Sequence, residues 1–291
     1  MNPSPGILLT FGLLAFSVCL LWAPTSNGRR AWPWCIGLGL ACATGLYGGI
    51  LDWRAPVAIL VFGALAWSAR EAQKAWLRIP LLMLTGVAAF LFALHRVPGF
   101  FNPVLAENIR FSGDAPPFTL RASFDTAVAG IVLMGVFCER IRTLDEWLAM
   151  LRKVWPVTLS VLVVVLGIGM AVGYVRPDVK WTSYSAWFLA ANLLFTCVTE
   201  EAFFRGLLLE RFKRGLARWR GGTVLAVVLS SILFGLAHAR GGPLLVVLAT
   251  VAGLHYAAAY LVTRRIEGAI LTHFALNAVH FIAFSYPNLA P

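Results

Sequence analysis

The chain has 291 residues, 59% of them hydrophobic and only 13% charged, with a mean hydropathy of +0.79 and a formal net charge of +11. Soluble domains average about 45–50% apolar and about 25% charged residues, so this composition excludes an ordinary soluble domain. The excess of basic residues is accounted for by where they fall between apolar runs, and it calls for no nucleic-acid partner.

In chain order, ten apolar runs are candidates to cross the hydrocarbon layer: 6–23, 32–51, 53–69, 79–95, 122–138, 157–175, 185–209, 221–239, 243–262 and 268–286. Crossing ~30 Å of hydrocarbon takes about 20 helical residues, fewer with snorkelling flanks. Lipid offers backbone groups no partners, so each run is expected to be helical. The expected fold class is all-α, a polytopic transmembrane bundle of about ten helices; two short runs leave eight as the lower count. Run 6–23 has no basic segment ahead of it and reads as a first span rather than a cleaved signal. Between the runs, 96–121 carries NP and APP turn cues and reads as a loop. Segment 139–155, ERIRTLDEWLAMLRKVW, puts Ile141, Leu144, Trp147, Leu148, Leu151, Val154 and Trp155 at helical spacing among basic residues. It reads as an interfacial amphipathic helix on the cytoplasmic side. The expected organisation is accessory membrane helices at 1–138, the interfacial helix at 139–156, and a core at 157–291 whose motifs lie within 185–286. Cys19, Cys35, Cys42, Cys138 and Cys197 lie in apolar runs without a CxxC spacing and read as packing residues.

With the N-terminus placed outside, sixteen of the 24 Lys and Arg fall in inside loops and seven in outside loops, leaving Arg205 within a span. The excess alternates loop by loop as the positive-inside rule requires. The chain is therefore expected to be integral to a bacterial inner membrane, with both termini extracytoplasmic.

Polar side chains within the runs concentrate in the last third: Glu200, Glu201, Arg205, His238, His255, His273, Asn277 and His280. Intramembrane ionisable residues are costly and mark built sites. In α-helical geometry Glu201 and Arg205 stand at i and i+4, acid first, and pair on one face. Glu200 points about 100° away. A lone buried carboxylate suits general acid/base work near neutral pH, and equally a proton relay. Phe234 and His238 share a face at i and i+4. His273, Asn277 and His280 form a polar stripe on the last run that has to face protein or water. His255 lacks patterned neighbours and reads as packing.

The motifs EEAFFR (Glu200–Arg205), FGLAH (Phe234–His238) and HFALN (His273–Asn277), in that order on three apolar runs, resemble the CAAX protease and bacteriocin-processing family of intramembrane proteases, which includes the type II CAAX prenyl endopeptidases. The family pattern EExxxR, FxxxH, HxxxN is matched at every position. The resemblance implies that Glu200 and His238 activate a water and that His273 and Asn277 form the oxyanion hole, with Glu201, Arg205 and Phe234 in support. It implies no cofactor; a zinc ion on Glu200, His238 and His273, with water in the open position, is the alternative, and HExxH is absent. The implied activity is an intramembrane endopeptidase acting on a membrane-embedded or lipid-anchored peptide or protein, with the bilayer as its other partner. The competing readings are a non-catalytic immunity or scaffold protein that keeps the fold, and a proton-coupled transporter with Glu200 as relay.

Overall fold

The computed structural model describes residues 4–23 and 32–290. Arg29 and Arg30, counted above among the inside loops, lie outside the described residues. The ten apolar runs are helical over most of their length. We number the helices α1 (Pro5–Leu20), α2 (Pro33–Tyr47), α3 (Arg54–Glu71), α4 (Ala75–Ala93), α5 (Phe124–Phe137), α6 (Leu144–Ala171), α7 (Ser185–Gly215), α8 (Gly222–Ala237), α9 (Pro243–Thr263) and α10 (Ile266–Ala283). Helices α4, α6, α7, α9 and α10 are long and apolar enough to cross a membrane, while α1, α2, α5 and α8 are shorter apolar helices. The protein is a helical integral membrane protein.

Three features differ from the sequence expectation. The loop 96–121 contains a two-stranded sheet, β1 (Val104–Ile109) with β2 (Phe118–Arg121). The strands are short, and the proline turns around them dominate the sequence pattern. The amphipathic segment and the sixth apolar run are one continuous helix, α6, passing through Pro156. Its start is capped: Thr143 Oγ1 accepts from the Glu146 N–H at 3.2 Å, and the Glu146 carboxylate accepts from the Arg142 N–H at 2.8 Å. Third, α7 is not α-helical throughout. It widens into π-helical turns at Asn192–Cys197 and Ala202–Leu209, on either side of the α-turn Val198–Glu201.

The chain divides into two compact units. The first comprises Met1–Ala106, Thr119–Cys138 and Leu194–Phe203. At its centre is α5, buried along nearly its whole length and packed against α1, α2, α3, α4 and the Val198–Glu201 turn. Polar ties hold this packing where lipid offers no partners: Ser17 Oγ donates to the Trp34 carbonyl at 2.7 Å, and Arg70 Nη1 to the Val136 carbonyl at 2.7 Å. His95 places Nδ1 2.9 Å from both carboxylate oxygens of buried Asp125. Asn102 joins them, donating to Asp125 at 2.9 Å and accepting from the Phe124 N–H at 2.8 Å, which anchors the start of α5.

The second unit comprises Glu107–Phe118, Glu139–Leu193 and Phe204–Pro291. In it α8 packs on α9, α10 packs on α9, and α6 packs on both α9 and α10. Thr158 and Thr272 hydroxyls meet at 2.9 Å between α6 and α10. His255 donates from Nδ1 to the Val251 carbonyl at 2.8 Å and its Nε2 meets Ser160 Oγ at 3.2 Å, a helix-to-helix tie. The loop ahead of α6 is fastened to the start of α10 by Glu267, whose Oε1 accepts from the Ile141 N–H at 2.7 Å, and by Arg265 with Glu146 at 2.6 Å.

Candidate active site

In the second unit, His238, His273, Asn277 and His280 line one cavity of about 130 Å³ together with Phe234, Tyr256 and Tyr174. The remaining wall is aliphatic, from α6 and α9. A space of this size holds a few waters or one side chain at roughly 30 Å³ per water.

The backbone sets up each polar group. Helix α8 has only 16 residues and stops at Ala237; a 3₁₀ turn, Ala239–Gly241, follows, and Gly242 takes φ 90° to lead into Pro243 at the start of α9. Only glycine adopts that backbone without strain. His238 thus sits at the helix end, where Nδ1 lies 2.8 Å from the Phe234 carbonyl. A carbonyl only accepts, so Nδ1 carries the proton, and in the neutral ring Nε2 is left as an acceptor. On regular α10, His273 is buried, stacked on Tyr256 with ring centroids 4.4 Å apart and planes 16° apart, and meets the Phe234 ring edge-on at 5.7 Å. One turn on, Asn277 Nδ2 donates to Asn192 Oδ1 at 3.2 Å.

Arg205 lies beneath this layer, fully buried. Its Nη2 donates to the Gly253 carbonyl at 2.9 Å, and its guanidinium carbon lies 4.8 Å from the Phe234 ring centre and 5.3 Å from that of Tyr256. The same two rings touch the imidazoles: Phe234 lies 4.8 Å from His238. The buried cation thus lies against the Phe234, Tyr256 and Phe204 rings and donates to a carbonyl. Gly253 eases the approach, since a Cβ there would lie 3.3 Å from Arg205 Nη2, the Phe234 ring and the Ser231 backbone, a tight fit on all three.

Glu200 and Glu201 belong to the first unit, on the turn Val198–Glu201. Glu201 is fully buried and Glu200 half-buried. The turn is fixed by its neighbour Thr199, whose hydroxyl donates to the Thr126 carbonyl at 2.9 Å on α5. Gly130 allows that contact, for a Cβ there would lie 3.0 Å from Thr199 Cα. The α-helical spacing used to match Glu201 with Arg205 does not extend past Glu201, because the π-helical turn begins at Ala202. In a π turn residues five apart, not four, come into hydrogen-bonding register.

The structure thus brings together His238, His273 and Asn277, adds His280 to the same wall, and sets Phe234 and Arg205 as the support beneath. Two contributors went unread in the sequence: Tyr256, one more aromatic in an apolar run, and Asn192, whose signal was an isolated amide within a span. Among the described residues no group of three His, Cys, Asp or Glu side chains that could hold a metal ion is found.

No curated protein and no solved structure matches the chain. A family model described as Rce1-like, type II CAAX prenyl endopeptidase, matches residues 181–279, about a third of the chain, and that stretch holds all three motifs. Over residues 181–279 the chain is thus similar to the type II CAAX prenyl endopeptidases.

Proposed function

We propose that the protein is an intramembrane endopeptidase that hydrolyses a peptide bond in a membrane-embedded or lipid-anchored substrate, with Glu200 as general base. The observation that carries this reading is the cavity in which an acceptor imidazole, His238, and two donor-bearing side chains, His273 and Asn277, line one wall. Water hydrogen-bonded to His238 Nε2 gives its proton to the Glu200 carboxylate as its oxygen bonds to the carbonyl carbon. His273 and Asn277 donate to the resulting oxyanion. The C–N bond then breaks, and the proton held by Glu200 passes to the leaving amine. Each oxyanion donor in a dry site contributes about 2.7–4 kcal/mol, and the base about 10²–10⁴-fold. No step is routed through a metal. The aliphatic walls of the cavity support an apolar substrate segment.

The reading extends to ten spans in a bacterial inner membrane with both termini outside, which the alternating loop charge supports. The test compares membrane-protein termini by mass spectrometry in cells expressing wild type, Glu200→Ala or His238→Ala at equal level. Termini lost in both variants identify the activity and its substrate. Identical termini in all three, with all three folded and the host's membrane proteins expressed, would overturn the proteolytic reading in favour of a non-catalytic module.

A further inference from the structure

A second cavity, of about 540 Å³, lies in the first unit, with α2 and α3 as its walls and α5 as its floor. Its volume falls within the ~300–1,000 Å³ of small-molecule sites, and no charged side chain lines it. Gly39 on α2 and Gly63 on α3 keep it open: a Cβ on either would meet no atom within 4 Å.

The two ends of the cavity differ. Trp32 at the start of α2 and Trp67 near the end of α3 have ring centroids 5.1 Å apart, and Trp34 lies 5.6 Å from Trp32. Arg70, one turn beyond Trp67, holds its guanidinium carbon 5.8 Å from the Trp67 ring centre. It also donates to the carbonyl of Val136, a floor residue, at 2.7 Å. Indoles and a cation are the side chains that collect at headgroup level. The opposite end, at Cys42 and Pro56, is apolar. From Trp32 to Cys42 along α2, and from Trp67 back to Pro56 along α3, the cavity runs ~15–16 Å at ~1.5 Å per residue. One leaflet of a ~30 Å hydrocarbon layer is ~15 Å deep. Over that length the volume leaves a cross-section of about 36 Å², well below the ~80–110 Å² of an α-helix ~10–12 Å across. A slender chain fits; a partner helix does not.

We infer that this cavity holds one acyl chain of a resident anionic phospholipid, whose headgroup sits at Trp32, Trp67 and Arg70. The depth is that of one leaflet, the lining is apolar throughout, and the positive charge stands where a lipid phosphate is. A choline headgroup would bring its own cation beside Arg70, so the lipid is one without it. Two walls and a floor enclose the chain, whereas a lipid of the surrounding bilayer meets only an outer face. The bound chain completes the surroundings of α5, the helix on which the Val198–Glu201 turn packs.

The test uses the purified full chain in detergent, phosphatidylglycerol and phosphatidylcholine with identical acyl chains, and native mass spectrometry. Wild type retains one lipid per chain and binds phosphatidylglycerol about fivefold tighter than phosphatidylcholine, the worth of one basic side chain at a headgroup. Gly63→Leu fills open space, and displacing two methylenes of the lipid chain weakens both lipids about fifteenfold. Gly39→Leu, on the facing wall, does the same and keeps the test standing where the first variant fails to fold. Arg70→Gln still binds but no longer separates the two lipids. Equal retention by wild type and both glycine variants overturns the inference. So does phosphatidylglycerol with a mid-chain diazirine that labels the exposed Met83, Leu84 and Val87 of α4 as heavily as α2 and α3. A dimer that both glycine variants dissolve without change in bound lipid assigns the cavity to a second copy, and uptake of a prenylated cysteine in place of phospholipid assigns it to a substrate's anchor; either result overturns the inference. None of these outcomes bears on proteolysis, on which the inference does not rest.

Discussion

Arg205 gives the sharpest quantitative test of the architecture under the cavity. Arg205→Met keeps the length and apolar stem of the side chain and removes its charge. Among what is lost are one hydrogen bond from a charged donor to Gly253 at 2.9 Å and cation–π contacts at 4.8, 5.3 and 5.9 Å to Phe234, Tyr256 and Phe204. A hydrogen bond to a charged group is worth about 1.5–3 kcal/mol, and desolvated cation–π contacts about 1–2 kcal/mol each. Methionine returns part of this through burial, leaving a net loss of at least about 2–4 kcal/mol. At about 2–4 °C per kcal/mol for larger chains, the midpoint of thermal unfolding in detergent falls by on the order of 10 °C. Arg205→Lys should fall nearly as far, because an ammonium cannot lie flat between two rings. Phe234→Leu made on top of Arg205→Met should cost less than Phe234→Leu alone, with a coupling of about 0.5–3 kcal/mol between contacting residues. A midpoint for Arg205→Met within about 2 °C of wild type, or strict additivity with Phe234→Leu, would refute the claim that the aromatic layer and the cation hold each other in place.

Three further outcomes are expected. Gly130→Ala forces a Cβ to 3.0 Å from the Thr199 backbone and should cost about 1–3 kcal/mol with loss of Glu200-dependent cleavage, whereas Gly12→Ala, with no atom within 4 Å, should leave the melting midpoint unchanged. Asn192→Leu removes the acceptor that orients Asn277 and should lower kcat about tenfold with KM little altered; a change in KM alone would contradict the oxyanion role. Asp178, in the loop between α6 and α7, is held below the ordinary carboxylate range first by the Ser112 hydroxyl and then by Lys180. A depressed folded-state pKa contributes stability above the unfolded value of about 3.9 that is lost as pH falls through the folded value. Unfolding midpoints of wild type and Asp178→Asn, measured from pH 7 downward, should therefore differ at neutral pH and converge only below about pH 4; parallel curves down to pH 3 would count against it.

What the residues alone disclosed depended on how regular the backbone is. Helix α10 is α-helical throughout, so spacing by 3.6 put His273, Asn277 and His280 on one face, and one cavity wall carries all three. At the early stop of α8, Ala239-Arg240-Gly241-Gly242 forms a 3₁₀ turn and a left-handed glycine. Helix α7 is less regular, and its π turns at Asn192–Cys197 and Ala202–Leu209 leave no mark in hydrophobic periodicity. The partners that orient the site came from afar in sequence: Asn192 is 85 residues from Asn277, and Tyr256 reaches His273 from another helix. The sheet at 104–121 and the His95–Asp125–Asn102 tie are likewise products of chain crossings that no local pattern encodes.

The segment after α10 folds back along the loop that follows α6. Ser285 N–H donates to the Arg176 carbonyl at 2.9 Å, Leu289 N–H to Tyr174 at 2.9 Å, and Ala290 N–H to Asp114 at 2.8 Å, while Lys180 reaches the Phe284 carbonyl. Tyr174 and Val175 of that loop line the cavity, and Tyr286 carries the His280 ring. Anyone producing this protein should take note: an affinity tag or fluorescent reporter joined beyond Ala290 pulls on the strand-like tail that props one end of the cavity. A difference in turnover between such a fusion and the untagged chain is a quick gauge of how tightly the tail has to be seated.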